Sequence, residues 1–154
     1  MNIEIITIGD ELLDGVIADE NARWLAELLA DHGHQVTRIT TVRDDLESIA
    51  QAFEAASSRA ALCIATGGLG PTSDDVTFEA LALALDVPLE HNQAVESSLK
   101  KRFNLQRLQS NMLRQAQLPA GVKVHSSQVG SAPSICAQLK GATIWVLPGV
   151  PSEM

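Results

Sequence analysis

Residues 66–75, TGGLGPTSDD, bring together residue types that handle phosphate: three glycines, three hydroxyls and two adjacent carboxylates. Gly67, Gly68 and Gly70 strip side chains from the backbone, so phosphate oxygens can approach main-chain N–H groups at the start of a following helix. Asp74 and Asp75 then set two carboxylates beside that anion site, with Thr66, Thr72 and Ser73 offering hydroxyl contacts. One carboxylate near a helix N-terminus gains about 0.3–1 kcal/mol, so capping accounts for one Asp better than for two. The pair points to a divalent cation bridging protein and phosphate, as the hard, oxygen-preferring Mg²⁺ does. The alternative is a plain strand-to-helix turn with glycine for its geometry and Asp as N-cap. The glycines do not follow G-x-G-x-x-G, and no Lys followed by Ser or Thr closes the stretch, which excludes a dinucleotide fingerprint and a P-loop.

Further carboxylates stand where strands are expected to end. Asp10 and Glu11 lie in GDELLDG (9–15), Asp44 and Asp45 in RDD (43–45), and Glu153 in PGVPSE (148–153). In a doubly wound sheet, ligands bind outside the carboxyl ends of the strands, so parallel strands would bring these loops to one rim. Two carboxylates about 4 Å apart repel by roughly 4 kcal/mol at an effective dielectric of about 20. A diphosphate would deepen that repulsion, which makes Mg²⁺ or a similar ion close to obligatory for phosphate chemistry here; otherwise each loop solvates its own acids. No Ser sits in a G-x-S-x-G elbow. His32, His34, His91 and His125 form no recognisable zinc spacing, and His32 and His34 flank Gly33 where a helix end would use them. Cys63 and Cys136 lie in apolar segments as small hydrophobes, and Trp24 and Trp145 read as core.

The elements that must position these residues follow from periodicity. Residues 2–8 (NIEIITI), 36–42 and 60–65 (AALCIA) read as strands, the last apolar without alternation as in a parallel strand covered on both faces. Residues 21–30 carry Trp24, Leu25, Leu28 and Leu29 at helical spacing up to the stop at Gly33, residues 46–56 place Leu46, Ile49, Ala50 and Phe53 inward, and residues 76–85 form a third helix. This alternation predicts an α/β fold, a mostly parallel sheet with helices on both faces. Pro88 interrupts the pattern; residues 93–117 read as one or two mostly polar helices broken near 104–110. Short strands are expected at 122–125, 134–139 and 143–147, with a hairpin turn at LKGAT (139–143).

At 154 residues the chain is one domain by size, able to bury roughly 68–70% of its unfolded surface without disulfide or metal. The 45% hydrophobic and 3% aromatic content implies a core of Ala, Leu, Ile and Val. No apolar run approaches the ~18 residues of a membrane span, and residues 1–9 lack a basic n-region and cleavage site, so a cytoplasmic location and no membrane contact are expected. The net charge of −8 argues against nucleic acid, which is bound through Lys and Arg. An anionic ligand needs local help from backbone N–H groups, a metal ion, or arginines such as Arg23 and Arg43. The chain stops just after a strand, where another helix could begin, as a piece of a longer protein would.

Taken together, IGDELLDG (8–15), NARWLAELL (21–29), TGGLGPTSDD (66–75), SNMLRQAQLP (110–119), GSAP (130–133) and LPGVPSEM (147–154) resemble the N-terminal domain of the CinA-like proteins, in the molybdopterin-binding (MogA-like) superfamily. The resemblance implies a three-layer α/β/α domain over residues 1–154, often a homo-oligomer, with a small nucleotide or pterin ligand. It implies metal-dependent hydrolysis of ADP-ribose to AMP and ribose 5-phosphate with Mg²⁺, Mn²⁺ or Co²⁺, or, as in molybdenum-cofactor relatives, binding of molybdopterin without turnover. Residue by residue it places catalysis on Asp74, Asp75 and Asp10, metal on Asp74 and Asp75, and ligand contacts on Thr66, Gly67, Gly68, Gly70, Glu11, Asp44, Pro148, Gly149 and Ser152, with Pro151 in the same closing loop. A structural or regulatory domain without activity is a third possibility. Leu69 stands where pterin relatives tend to have Thr, which weakens the pterin reading, and Ser131 and Ser134 depart from the GTAPG pattern. Deamidation, associated with a separate C-terminal domain, is not expected of these residues.

Overall fold

The structure is a computed structural model that describes residues 1–125 and 129–154. β1 (Ile3–Ile8), IEIITI, is buried at every position because it runs through the middle of the sheet with helices on both sides. A four-residue helix α1 (Asp10–Leu13), then α2 (Glu20–Asp31), β2 (Val36–Val42), α3 (Leu46–Ser57), β3 (Leu62–Thr66) and α4 (Thr77–Leu85) complete the first part. The second part contains β4 (Leu89–His91), α5 (Gln93–Phe103), α6 (Ser110–Leu113) with a 3₁₀ turn Arg114–Ala116, β5 (Gln117–Pro119), β6 (Lys123–His125), β7 (Ser134–Leu139), β8 (Ala142–Leu147) and a closing 3₁₀ turn Pro151–Glu153.

Six strands form one sheet in the order β2-β1-β3-β8-β7-β6. β2, β1, β3 and β8 run parallel, with Thr7 beside Thr41 and Thr66, and Thr66 beside Leu147; β8, β7 and β6 are antiparallel. The carboxyl ends of the four parallel strands therefore share one rim, as the sequence predicts. The β7–β8 hairpin turns on Lys140 (φ 51°) and Gly141 (φ 88°), a left-handed pair of the kind that matches strand twist in a two-residue turn.

The larger core lies between the sheet and α3, α4 and α5, around Phe53, Ile49, Leu81, Ile144 and Val146, all essentially inaccessible. The opposite face is thinner: Ile5 and Ile64 pack on Ala22 and Leu25 of α2. Trp24 is 45% exposed and Leu28 38%, so the expectation of a core Trp24 is corrected. The α2 stripe facing the sheet runs through Ala22, Leu25, Ala26 and Leu29, and Trp24 falls outside it.

Two further corrections concern local structure. The 9–15 stretch is not wholly loop, since Asp14 N–H donates to Asp10 O (2.9 Å) to close the turn of α1. β4 and β5 form an antiparallel pair of their own, Leu89 opposite Pro119 and His91 opposite Gln117; three-residue strands this far apart in the chain leave no periodic signal.

Candidate functional site

The rim loops enclose a cleft of about 670 Å³, within the roughly 300–1,000 Å³ usual for small-ligand sites. Its wall takes Ile8, Gly9 and Glu11 from the end of β1, Asp44 after β2, Thr66, Gly67, Gly68, Thr72, Asp74 and Asp75 after β3, and Gly149 to Pro151 after β8. Glu20 and Asn21, in the first turn of α2, close the side. A second cavity of about 330 Å³ shares Gly68, Asp75, Gly149 and Val150 with the first and adds Gly70, Pro148, Gln115, Ser131 and Glu153.

Of the residues singled out from the sequence, Thr66, Gly67, Gly68, Asp74, Asp75, Glu11, Asp44 and Gly149 converge on the cleft, and Gly70 and Pro148 on the second cavity. Asp10 and Ser152 stand in neither wall. The reason at Asp10 is a reciprocal clasp: its N–H donates to Asp44 Oδ2 (3.0 Å), while its Oδ1 accepts from Asp44 N–H (3.2 Å). Arg43 sits 3.5 Å from the same oxygen and 2.7 Å from Asp14 Oδ1. Asp10 thus ties the end of β1 to the end of β2.

The glycines are shaped by the protein's own contacts. Gly67 (φ 103°) and Gly68 (φ 66°) are both in the left-handed region. A Cβ on Gly67 would collide with Ile8 O, and one on Gly68 with Thr77 Oγ1. At Gly70 it would lie 2.6 Å from Asp75 Oδ2, and at Gly149 3.1 Å from Gly67 Cα. Gly67 N–H donates to Leu147 O (3.3 Å) and Thr77 N–H to Gly68 O (3.3 Å). Two donors expected to face a phosphate are therefore spent inside the protein, and Asp75 does not cap α4. Its Oδ2 instead accepts from Thr72 N–H (2.9 Å) and Thr72 Oγ1 (2.6 Å), closing the turn ahead of the helix. Asp74 is exposed, with Ser73 Oγ 3.3 Å from its Oδ1.

The electrostatics are one-sided. Among the described residues, Glu11, Glu20, Asp44, Asp74 and Asp75 line the cleft and no Lys or Arg does. Burial raises the Asp44 carboxyl above its ordinary value of 3.8, and the carboxylates of Asp10, Glu11 and Asp75 push the same way against the Asp10 N–H bond. Among the described residues, no group of three or more His, Cys, Asp or Glu side chains converges as a ready metal cage.

Four positioning side chains escaped the sequence reading. Asn21 Nδ2 donates to Gly149 O (2.7 Å), joining α2 to the closing loop. Thr77, fully buried, donates from Oγ1 to Gly67 O (2.9 Å). Arg114 reaches Asp75 O (3.3 Å) and Glu79 Oε1 (2.9 Å), and Gln115 reaches Leu69 O (2.9 Å). The only signal was their presence in or beside stretches that carry the family resemblance; nothing in their spacing points to these partners.

A family model described as a probable molybdopterin binding domain matches residues 4–154. A CinA-like protein of Frankia casuarinae is 42% identical over 161 residues, covering all of this chain and 37% of its own length. A CinA-like protein of Myxococcus xanthus is 41% identical, covering 99% of this chain and 37% of that protein. The chain thus spans little more than a third of these two relatives. The crystal structure of the protein CinA with unknown function from Thermoplasma acidophilum superimposes with a TM-score of 0.95 at 35% identity, over 99% of this chain and 90% of that one. The molybdopterin biosynthesis enzyme MoaB from Thermus shares the fold, with a TM-score of 0.63 at 19% identity over 99% and 83% of the two chains. No helix among the described residues is long and apolar enough to cross a membrane. A rim cleft on an α/β sheet, a family match over nearly the whole length and a near-superimposable solved relative together show that the chain belongs to the molybdopterin-binding domain family, among its CinA-like members.

Proposed function

We propose that the rim cleft binds a nucleoside diphosphate together with a divalent cation and hydrolyses its diphosphate bond, with ADP-ribose and water giving AMP and ribose 5-phosphate. The observation that carries this reading is the lining: among the described residues, five carboxylates and no Lys or Arg. A diphosphate entering alone would meet the repulsion of these carboxylates with no side-chain cation of the described residues to offset it, so the cleft suits an anion that arrives with a cation. Asp74 and Asp75 are oxygen donors that would hold Mg²⁺, Mn²⁺ or Co²⁺ beside the substrate, since Mg²⁺ is usually bound through one or two carboxylates plus phosphate. When bound, such a cation neutralises charge developing on the phosphates and makes water a better nucleophile.

The chain's own groups have separable tasks. Thr72 fixes the Asp75 carboxylate at 2.6 and 2.9 Å, while Asp74 faces solvent with one short-range partner. Asp44, with its proton affinity raised by burial and by neighbouring carboxylates, is suited to accept a proton from the attacking water. Asp10 orients Asp44 through the backbone clasp instead of acting on substrate. A second reading, a pterin-nucleotide binding module without turnover, is favoured by the matched family's description.

The deciding experiment is incubation of the metal-stripped protein with ADP-ribose, with and without Mg²⁺, Mn²⁺ or Co²⁺, and chromatography for AMP. Metal-dependent AMP is expected. Saturable molybdopterin binding with no AMP would overturn hydrolysis in favour of the binding module.

A further inference from the structure

The loop that builds the cleft is held from two directions. From its own helix, Thr77 takes Gly67 O through Oγ1 and Gly68 O through its N–H. From a segment about forty residues further along the chain come two more donors. Gln115 Nε2 donates to Leu69 O at 2.9 Å and lies 3.4 Å from Ser131 Oγ; Arg114 Nη2 donates to Asp75 O at 3.3 Å and to Glu79 Oε1 at 2.9 Å.

Three features separate these contacts from ordinary packing. Gln115 is only 3% exposed, and a buried amide is retained where its hydrogen bonds are needed, since an apolar side chain would fill the space without a desolvation cost. The carbonyls it and Arg114 hold, at 69 and 75, bracket the turn that presents Asp74 and Asp75 to the cleft. The loop also starts with two consecutive left-handed glycines, whose freedom has to be removed by the surroundings if one shape is to persist.

We infer that Gln115 and Arg114 are positioning residues that fix the glycine-rich loop and Asp75 in the ligand-binding shape. They touch no reacting atom; they act through Leu69 O, Asp75 O and Glu79. Gln115 also donates to Ser131 Oγ, another residue lining the second cavity, so one side chain ties the loop to the segment around residue 131. The inference rests on the cleft being the ligand site, as proposed above, but its primary readout needs no ligand.

The test is hydrogen–deuterium exchange on the full chain without ligand, comparing Gln115→Leu, Arg114→Lys and a control, Leu139→Ala. Leu keeps most of the volume of Gln and loses both donors. Lys keeps the charge toward Glu79 and loses the guanidinium Nη2 that reaches both Asp75 O and Glu79 Oε1. Leu139, 6% exposed on β7, lies in the core and pairs with Ala142, at the end of β8 opposite the rim. Peptides covering 67–76 should exchange roughly tenfold faster in the first two variants, the effect of about one lost hydrogen bond, while β1 and β3 peptides stay unchanged. Leu139→Ala should lower the unfolding midpoint and leave 67–76 unaltered. Where ADP-ribose with Mn²⁺ binds the parent protein, its Kd should rise by about the same factor in the first two variants. Unaltered exchange at 67–76 in both Gln115→Leu and Arg114→Lys overturns the inference, even if binding weakens, because the residues would then be direct contacts. A parent protein that neither binds nor cleaves ADP-ribose sinks the proposed function and leaves the exchange result to decide positioning.

Discussion

Gly67→Ala measures how much of the glycine-rich loop is dictated by the protein's own packing and how much is left for a ligand. The residue sits at φ 103°, and its missing Cβ would overlap Ile8 O, a backbone atom at the end of a fully buried strand. Holding an L-residue in the left-handed region costs about 1–2 kcal/mol. Forcing an extra carbon into filled space costs about 1–3 kcal/mol, so the substitution should lose about 2–5 kcal/mol. Gly141 is the internal control: its φ is 88°, yet nothing lies within 4 Å of a Cβ built there. Gly141→Ala should therefore lose only the conformational part, about 1–2 kcal/mol. Guanidinium unfolding followed by circular dichroism gives both differences, provided m is unchanged. At about 2–4 °C per kcal/mol for a domain of this size, Tm should fall by roughly 4–20 °C for Gly67→Ala and roughly 2–8 °C for Gly141→Ala. Equal losses at the two sites would refute the packing argument and return Gly67 to a purely ligand-facing role.

Asp74→Asn should abolish metal-dependent AMP release without moving the unfolding midpoint, whereas Asp75→Asn should also loosen the Thr72 turn; full turnover in both variants by the AMP assay would remove these residues from the site. The Asp44 carboxyl has its proton affinity raised in the folded state, so the folded state binds the proton more tightly than the unfolded one. Its ionisation therefore subtracts stability as pH rises from about the unfolded value of 3.8 through the folded one. Asp44→Asn should remove that fall in urea midpoints measured across the window, and an identical pH profile would count against it. Asn21→Ala removes the 2.7 Å bond to Gly149 O, worth about 0.5–1.5 kcal/mol. That predicts a roughly twofold to tenfold weaker Kd for ADP-ribose with Mn²⁺ by calorimetry, and an unchanged Kd would show that the closing loop holds itself. Arg59 donates from Nε (2.9 Å) and Nη2 (2.8 Å) to the buried Glu4 carboxylate, so Arg59→Met should lower the thermal unfolding midpoint by stranding that charge; Glu4→Gln in that background should restore part of the loss, and no recovery would count against the pairing.

Chain-local signals determined most of the fold. The β-branched runs at β1 and β2, the unbroken apolar run of β3, the helical spacing of Ile49, Ala50 and Phe53, and the Lys140–Gly141 turn all express their period or backbone preference within a few residues. The alternation of these elements also placed the carboxylate-bearing loops on one rim, since parallel strands put their carboxyl ends together. Which carboxylate faces the cleft was not decided there. Asp10 and Glu11 are neighbours in sequence, yet a clasp across 34 residues turns Asp10 to Asp44 and Arg43 and leaves Glu11 in the wall. Asn21 meets Gly149 across 128 residues and Gln115 meets Leu69 across 46; β4 finds β5, and Trp24 faces solvent because the sheet meets the Ala22–Leu25 side of its helix. Period and turn chemistry are properties of short segments. The partner of a polar side chain is a property of the packed whole, because many polar groups of equal local propensity compete for it and only the assembled sheet brings one within 3 Å.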